Sequence, residues 1–551
     1  MSFRHRIGVA LVAGLAATTV PAAGQSATPA AGQPHGQHAH GAPDARLGVV
    51  HFETSCAPQT RATFDRGVAL LHSFWYSAAI SAFDEVLKAD PACVMAQWGI
   101  AMSWWGNPFA ASRSAEALEH GRAALAAARA SGAGTDREKA YVSAVEQLFK
   151  EGAIAPHARL TAYAQALGAL AARHPDDAEA RIFHALSLTQ SALPTDKTYA
   201  NQLKAAAILE EEFARQPEHP GLAHYIIHSL DVPALAPRAL DAARRYARIA
   251  PDAPHALHMP SHTFTRVGSW QESIDTNLAS AAAARKDQAT AEELHALDYQ
   301  AYAYLQTAQD AAARRTVDAV PALAPKLAST GAGNAAPLAA GYYALAAIPA
   351  RYALEREAWA EAAGLVPRSS PYGWADAVTH FARALGAARL GTLDAARADV
   401  THLAALGTAL TANGDAYWAG QVEIQRRVAT AWVLLGEGRS EQALLMMTEA
   451  AAMEDATEKS AVTPGPIKPA RELLGDMLMV LERPAEAQAA YEATLKKEPR
   501  RFRATWGAAK AAAAAGQPSA AATHRASLLE IAAAADQPAR AELVEARRAV
   551  R

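Results

Sequence analysis

An all-α protein built from stacked helix pairs is what this chain predicts, on three observations. Alanine runs through the whole sequence, and alanine is the best helix former. Stretches in which β-branched and polar residues alternate, the mark of half-buried strands, are scarce. Small, aromatic and proline residues recur at a spacing of 34, the length of one two-helix unit in a repeat array. The 551 residues, 51% of them hydrophobic and 19% charged, are enough for a large core. A formal charge of −3 supplies no field for DNA, RNA or anionic lipid, so nucleic-acid partners are not expected.

The N-terminus reads as a secretory signal over residues 1–24. Arg4, His5 and Arg6 precede the apolar run Ile7 to Val20, and Ala22, Ala23 and Gly24 offer small residues for cleavage. That run is too short for a membrane span, and Gln25 stands where a lipid anchor needs cysteine. The mature protein is therefore expected in the periplasm or beyond, with no membrane insertion after cleavage. Residues 25–45, rich in Pro, Gly, Ala and Gln, predict a disordered linker carrying His35, His38 and His40. Two cysteines follow, Cys56 and Cys93, 37 positions apart. Export permits a disulfide between them; a pair of buried free thiols is the alternative.

Two segments carry the repeat most clearly. In RATFDRGVALLHSFWYSAAISAFDEVLKADP, Gly67, Ala79, Phe83 and Pro91 stand at fixed offsets, and Gly475, Ala487, Tyr491 and Pro499 reproduce them later. Small residues let two helices of a hairpin approach, the aromatic fills the seam, and proline ends the second helix. This pattern resembles the tetratricopeptide-repeat (TPR) superfamily, among its exported bacterial members of uncharacterised function. The resemblance implies a right-handed solenoid of antiparallel helix pairs. Pro217 and Pro251 close two consecutive units, while Gly268, Gly391 and Gly438 mark turns. A Gly/Pro-rich connector at 326–337 is expected to separate an N-terminal solenoid (46–325) from a C-terminal one (338–551).

The most informative feature is a histidine pattern. His224 and His228 in AHYIIHSLD are matched 34 residues later by His258 and His262 in PHALHMPSHTF. In a stacked array, equivalent positions of successive units lie side by side. In the TPR register, His224, His228, His255, His258 and His262 occupy positions that face the concave groove. The next helix, AEELHALDYQAYAYLQ, adds His295, Asp298 and Tyr302 at the same positions. Helix geometry agrees without the family: at about 100° per residue, His255, His258 and His262 share one face. Imidazole and carboxylate without thiolate suit a transition metal, namely zinc, iron or copper, rather than calcium or magnesium. His224, His228, His258 and His262 are the primary ligand candidates, with His255, His295 and Asp298 as ligands or as partners that orient them.

Other groove positions carry Trp98, Met102 and Trp105, an aromatic strip, and the charged Arg351, Glu355, Glu472 and Asp476. His72, His184, His380 and His524 read as isolated packed or surface residues. The Pro/Gly-rich insert in MEDATEKSAVTPGPIKPARELLGDM is a candidate for a loop laid over the groove. There is no HExxH, GxSxG, P-loop or GxGxxG, so the commonest peptidase, hydrolase and nucleotide motifs are absent. Three functions follow: a metal site holding a small ligand or performing hydrolytic or oxidative chemistry, an adaptor binding a partner peptide, or a metal-buffering chaperone.

Overall fold

The computed structural model describes residues 45–110, 113–152, 154–327 and 335–550. The signal segment, all of the linker but Ala45, and residues 328–334 of the connector lie outside the described residues. Among the described residues the secondary structure is entirely helical, twenty-six α-helices and two short 3-10 turns. The chain is an all-α array in which sequence neighbours pack as antiparallel pairs. No helix among the described residues is long and apolar enough to cross a membrane.

The repeat residues act as the pattern requires. A Cβ on Gly67 would lie 2.8 Å from the Phe83 ring, and one on Gly99 would lie 2.4 Å from it. Phe83 is therefore clamped between two helices that only glycine lets so close. Gly475 and Gly507 hold Tyr491 in the same way, at 2.7 and 2.4 Å. Gly268 caps helix Pro260–Val267 in the left-handed region at φ 72°, the conformation that ends a helix at least cost in glycine.

Three features depart from the sequence reading. First, the connector at 326–337 is no break in the core. Helix Asp310–Leu327 runs through Pro321 and Pro325, which sit on its exposed face, while Leu323 and Leu327 point inward. Leu327 packs with Leu294, Leu345 and Ile348, so one apolar cluster spans both sides of the expected boundary.

Second, Trp98 and Trp105 are core residues rather than groove lining. The extended segment before the first helix lays Phe52 over Trp98, with Tyr141 and Phe183 completing an edge-to-face cluster at 5.3–5.6 Å. Trp98 is left 1% exposed. Trp105 packs on Phe149 and under the Arg113 guanidinium, and Met102 is buried beside Tyr163. The same N-terminal segment is tied down by a disulfide between Cys56 and Cys93.

Third, the charged groove candidates form an interior network. Arg351, Glu355 and Glu472 are fully buried. Arg501 donates to Glu355, to Glu472 at 2.7 Å and to the Tyr302 hydroxyl at 3.0 Å. Lys468 lies 3.2 Å from Glu472, and Asp476 accepts from the Tyr491 hydroxyl at 2.7 Å. Buried charges must be paired, and spatial neighbours the repeat register does not reveal pair them here.

The loop 456–469, between helices Ser440–Asp455 and Ala470–Val480, crosses to the histidine-bearing helices. Lys459 donates to Asp231 at 3.0 Å, and Lys197 and Tyr199 donate to Glu458 at 2.6 and 2.9 Å. Arg351 grips the loop through Thr463 Oγ1 and the Gly465 and Pro466 carbonyls, all at 2.7–2.8 Å. This strap seals one side of the site described next.

Candidate metal centre

Three helices supply the imidazoles. Helix Pro220–Ser229 begins on a proline that needs no N–H partner at its first position. It is buried from Pro220 through Ile227, since the helices before and after it and the first helix of the chain enclose it. His224 and His228, one turn apart, point the same way. Pro260 interrupts the next helix into Pro254–His258 and Pro260–Val267, and His262 N–H bonds back to the Met259 carbonyl at 3.1 Å. That tighter turn keeps His255, His258 and His262 on one side. Helix Thr290–Gln306, buried along its whole length, brings His295 and Tyr299 from the third side.

The six imidazoles gather into two groups. In His224, His228 and His255 the ring nitrogens lie within 4.8 Å of one another, and the same holds for His258, His262 and His295. The groups abut, with 6.0 Å between the His255 and His258 ring centres and 6.2 Å between His228 and His262. Asp298 joins neither. Its Oδ1 accepts from Arg351 at 2.9 Å, an ion pair with the residue that holds the strap, while its Oδ2 is buried without a hydrogen-bond partner.

Hydrogen bonds at the far ring nitrogens fix the tautomers. His224 Nδ1 donates to the His72 carbonyl at 2.7 Å. His262 Nδ1 donates to the Asp231 carboxylate at 3.0 Å. His258 Nδ1 donates to Asn277 Oδ1 at 2.7 Å, the Asn277 amide being oriented by its own donation to the Ser273 carbonyl. With Nδ1 protonated in each neutral ring, Nε2 carries a bare lone pair. Yet His258 Nε2 and His262 Nε2 face each other at 3.2 Å. The Tyr299 hydroxyl has one proton and lies 3.2 Å from both His262 Nε2 and the Thr463 carbonyl, so it can satisfy at most one of the two nitrogens. In the other group His224 and His228 approach at 3.1 Å, while both ring nitrogens of His255 lack a partner, as does His295 Nδ1.

Protonation does not relieve this. Burial drives all six imidazoles below their ordinary value, His224 and His295 to about 3, and in five of them a neighbouring imidazole adds to the shift. His262 is also lowered, although its bond to Asp231 opposes the shift. At neutral pH the six rings are neutral, and His224, His258 and His262 turn bare Nε2 lone pairs inward. Burial opposes ionisation of Asp231, but Lys459, Arg266 and His262 outweigh it and hold the carboxyl well below the usual range. Burial brings Lys459 down to about 8.

Behind His224 lies a polar hub that the sequence does not single out. Glu179 accepts from His72 Nε2 at 3.0 Å and from His219 Nε2 at 2.9 Å, and the Tyr225 hydroxyl bonds His72 Nδ1 at 2.9 Å. The hub locks the residue whose carbonyl orients His224. Gly221 makes room for it, since a Cβ there would stand 2.5 Å from His72 Nδ1. Asp231, Asn277, Tyr299 and Lys459 are likewise site residues absent from the sequence reading. Asp231 is the one a local signal exposes, three residues after His228.

A cavity of about 490 Å³ opens onto His228, His255, His262 and His295. Its lining also includes Tyr372, Trp374 and Trp418, the two tryptophans stacked at 4.0 Å and 5°.

No family model matches this chain, and no curated protein matches it. Among solved structures it is similar to a human IFIT1 dimer with m7Gppp-AAAA, at TM-score 0.34 and 11% identity over 80% of this chain and 90% of that one. It is also similar to yeast Tom70, at 0.26 and 13% over 89% and 95%, and to the P58(IPK) TPR domain, at 0.20 and 16% over 67% and 98%. Likeness at these scores carries no argument about function. The class of protein rests on the chain itself: an all-α helical repeat enclosing two adjoining three-histidine groups.

Proposed function

We propose that this protein is an exported metalloprotein that binds two transition-metal ions, one on His224, His228 and His255, the other on His258, His262 and His295. The observation that carries the reading is the pair of opposed, unprotonated nitrogens on His258 and His262. Two bare lone pairs facing each other at 3.2 Å repel, and a cation between them relieves that repulsion. Ligand bonds of about 2.0–2.1 Å put neighbouring nitrogens on one ion about 2.9–3.4 Å apart, which suits the observed 3.1 and 3.2 Å. The bonds from Nδ1 to the His72 carbonyl, Asp231 and Asn277 are the outer contacts that metal-bound histidines need.

All-imidazole ligation favours zinc, copper or iron. Three protein ligands per ion leave a position for water or a small molecule, the arrangement of catalytic rather than structural sites. Peptide binding by these imidazoles is the weaker reading, because five of the six are buried, none of those more than 6% exposed. Rapid metal buffering is weaker too, since the strap covers one side of the site.

The test is metal analysis of untagged full-length protein carrying His35→Ala, His38→Ala and His40→Ala, so that the linker contributes nothing. Two equivalents of zinc, copper or iron are expected. The double variant His258→Ala/His262→Ala should retain one, and so should His224→Ala/His228→Ala. Absence of bound metal after loading and desalting would refute the reading.

A further inference from the structure

The 490 Å³ cavity has a composition that selects its occupant. Part of its lining is the open face of both histidine groups. Another part is aromatic: Trp374 and Trp418 stack face to face, and Tyr372 lies 5.6 Å from Trp374. The volume falls in the range of small-molecule sites. Among the described residues no lysine or arginine lines it, and the one charged residue that does is Asp415, beside the exposed Asn413 and Gly414. An organic acid would thus enter past a carboxylate and find no cationic side chain inside.

The metal end imposes the complementary demand. Six neutral imidazoles bring no negative charge to two cations, and the Asp231 charge is already shared by Arg266 and Lys459. The ions therefore favour an oxygen donor that becomes anionic on coordination. A ligand must be uncharged and planar to enter and stack, and must present one hydroxyl able to lose its proton at the metal.

We propose that the cavity binds phenols, with the ring against the Trp374–Trp418 wall and the oxygen on the metal pair. This inference rests on the metal reading above and names the ligand class of that same site. On binding, the phenol's O–H bond breaks, an oxygen–metal bond forms, and the proton leaves to solvent. No oxidant or reductant is required.

The probe is 4-nitrophenol with full-length, zinc-loaded protein, at a pH where the free phenol is protonated. The phenolate absorbance band reports coordination directly, and zinc is assayed on the same samples. We expect saturable growth of that band with the native chain. Trp418→Ala should weaken binding about tenfold, the order of one lost aromatic stack, with both zinc ions retained. Val462→Trp, which fills the cavity from the strap, should block binding with zinc content unchanged, and it serves if Trp418→Ala does not fold. 4-Nitrobenzoate should bind at least tenfold more weakly. Two bound zinc ions with no phenolate band, or equal binding of phenol and benzoate, overturn this inference and leave the metal reading standing. Absence of zinc overturns both.

Discussion

Replacing Asp231 with asparagine tests the centre through a residue that touches no ion. The Asp231 carboxylate accepts from His262 Nδ1 at 3.0 Å, Arg266 Nε at 2.8 Å and Lys459 Nζ at 3.0 Å. Asparagine keeps the shape and removes the charge. Arg266 and Lys459 then become interior cations short of a counter-ion, and breaking a buried pair from one side costs about 3–5 kcal/mol. His262 loses the acceptor that fixes its tautomer, and such losses weaken metal affinity about 10- to 100-fold, or roughly 1.4–2.7 kcal/mol. Urea unfolding of the metal-free variant should show the first effect. Calorimetric titration with zinc should show the second at one of two sites, the His224, His228 and His255 group keeping native affinity. Equal weakening at both sites, or native stability together with native affinity, would mean that Asp231 does not act through His262.

Three further outcomes are expected. In metal-free protein, His224 and His295 hold values of about 3 against 6.5 in the unfolded chain, so between those limits the unfolded state takes up protons that the native state refuses. Native stability should fall as pH drops below 6.5, by about 1.4 kcal/mol per unit for each such histidine; a urea midpoint that stays constant down to about pH 5 contradicts burial of neutral rings. Gly221→Ala forces a Cβ against His72, whose carbonyl orients His224. It should cost about 1–3 kcal/mol and weaken zinc at the His224 group alone, so unchanged binding would disconnect the hub from the metal. Reducing the Cys56–Cys93 bridge across its 37-residue separation should lower stability by about 4 kcal/mol in the chain-entropy treatment, seen as a drop in the denaturant midpoint; no change would mean that the N-terminal segment is held by packing alone.

The helical class and the convergence of histidines were legible because both depend on periodicity. A repeat turns a sequence offset of 34 into spatial adjacency, so the approach of His228 and His262 could be expected from their numbers, whereas the structure sets His224 beside His255 and His258 beside His295 rather than His224 beside His258. Residues recruited from outside the repeat were not legible. Asp298 sits at a ligand position, but Arg351, 53 positions away, takes its carboxylate. Trp98 stands on the groove-facing register, yet Phe52 from the non-repeating N-terminal segment covers it. The tautomer-fixing partners Asn277 and the His72 carbonyl lie on second helices or helix ends, where no spacing rule selects them. The strap was visible as an irregular insert, but only long-range contacts reveal what it covers.

That strap has a consequence for how the protein is made. All six imidazoles belong to residues 224–295, whereas Lys459 and Thr463 arrive much later during synthesis. If the two histidine groups hold metal as proposed, a nascent or truncated chain would present them unroofed to whatever ion is most abundant around it. Under the two-metal proposal, the identity of the bound ion would thereby be tied to the surroundings in which the final third of the chain docks, so the ordering of synthesis and closure would become a selectivity filter in its own right.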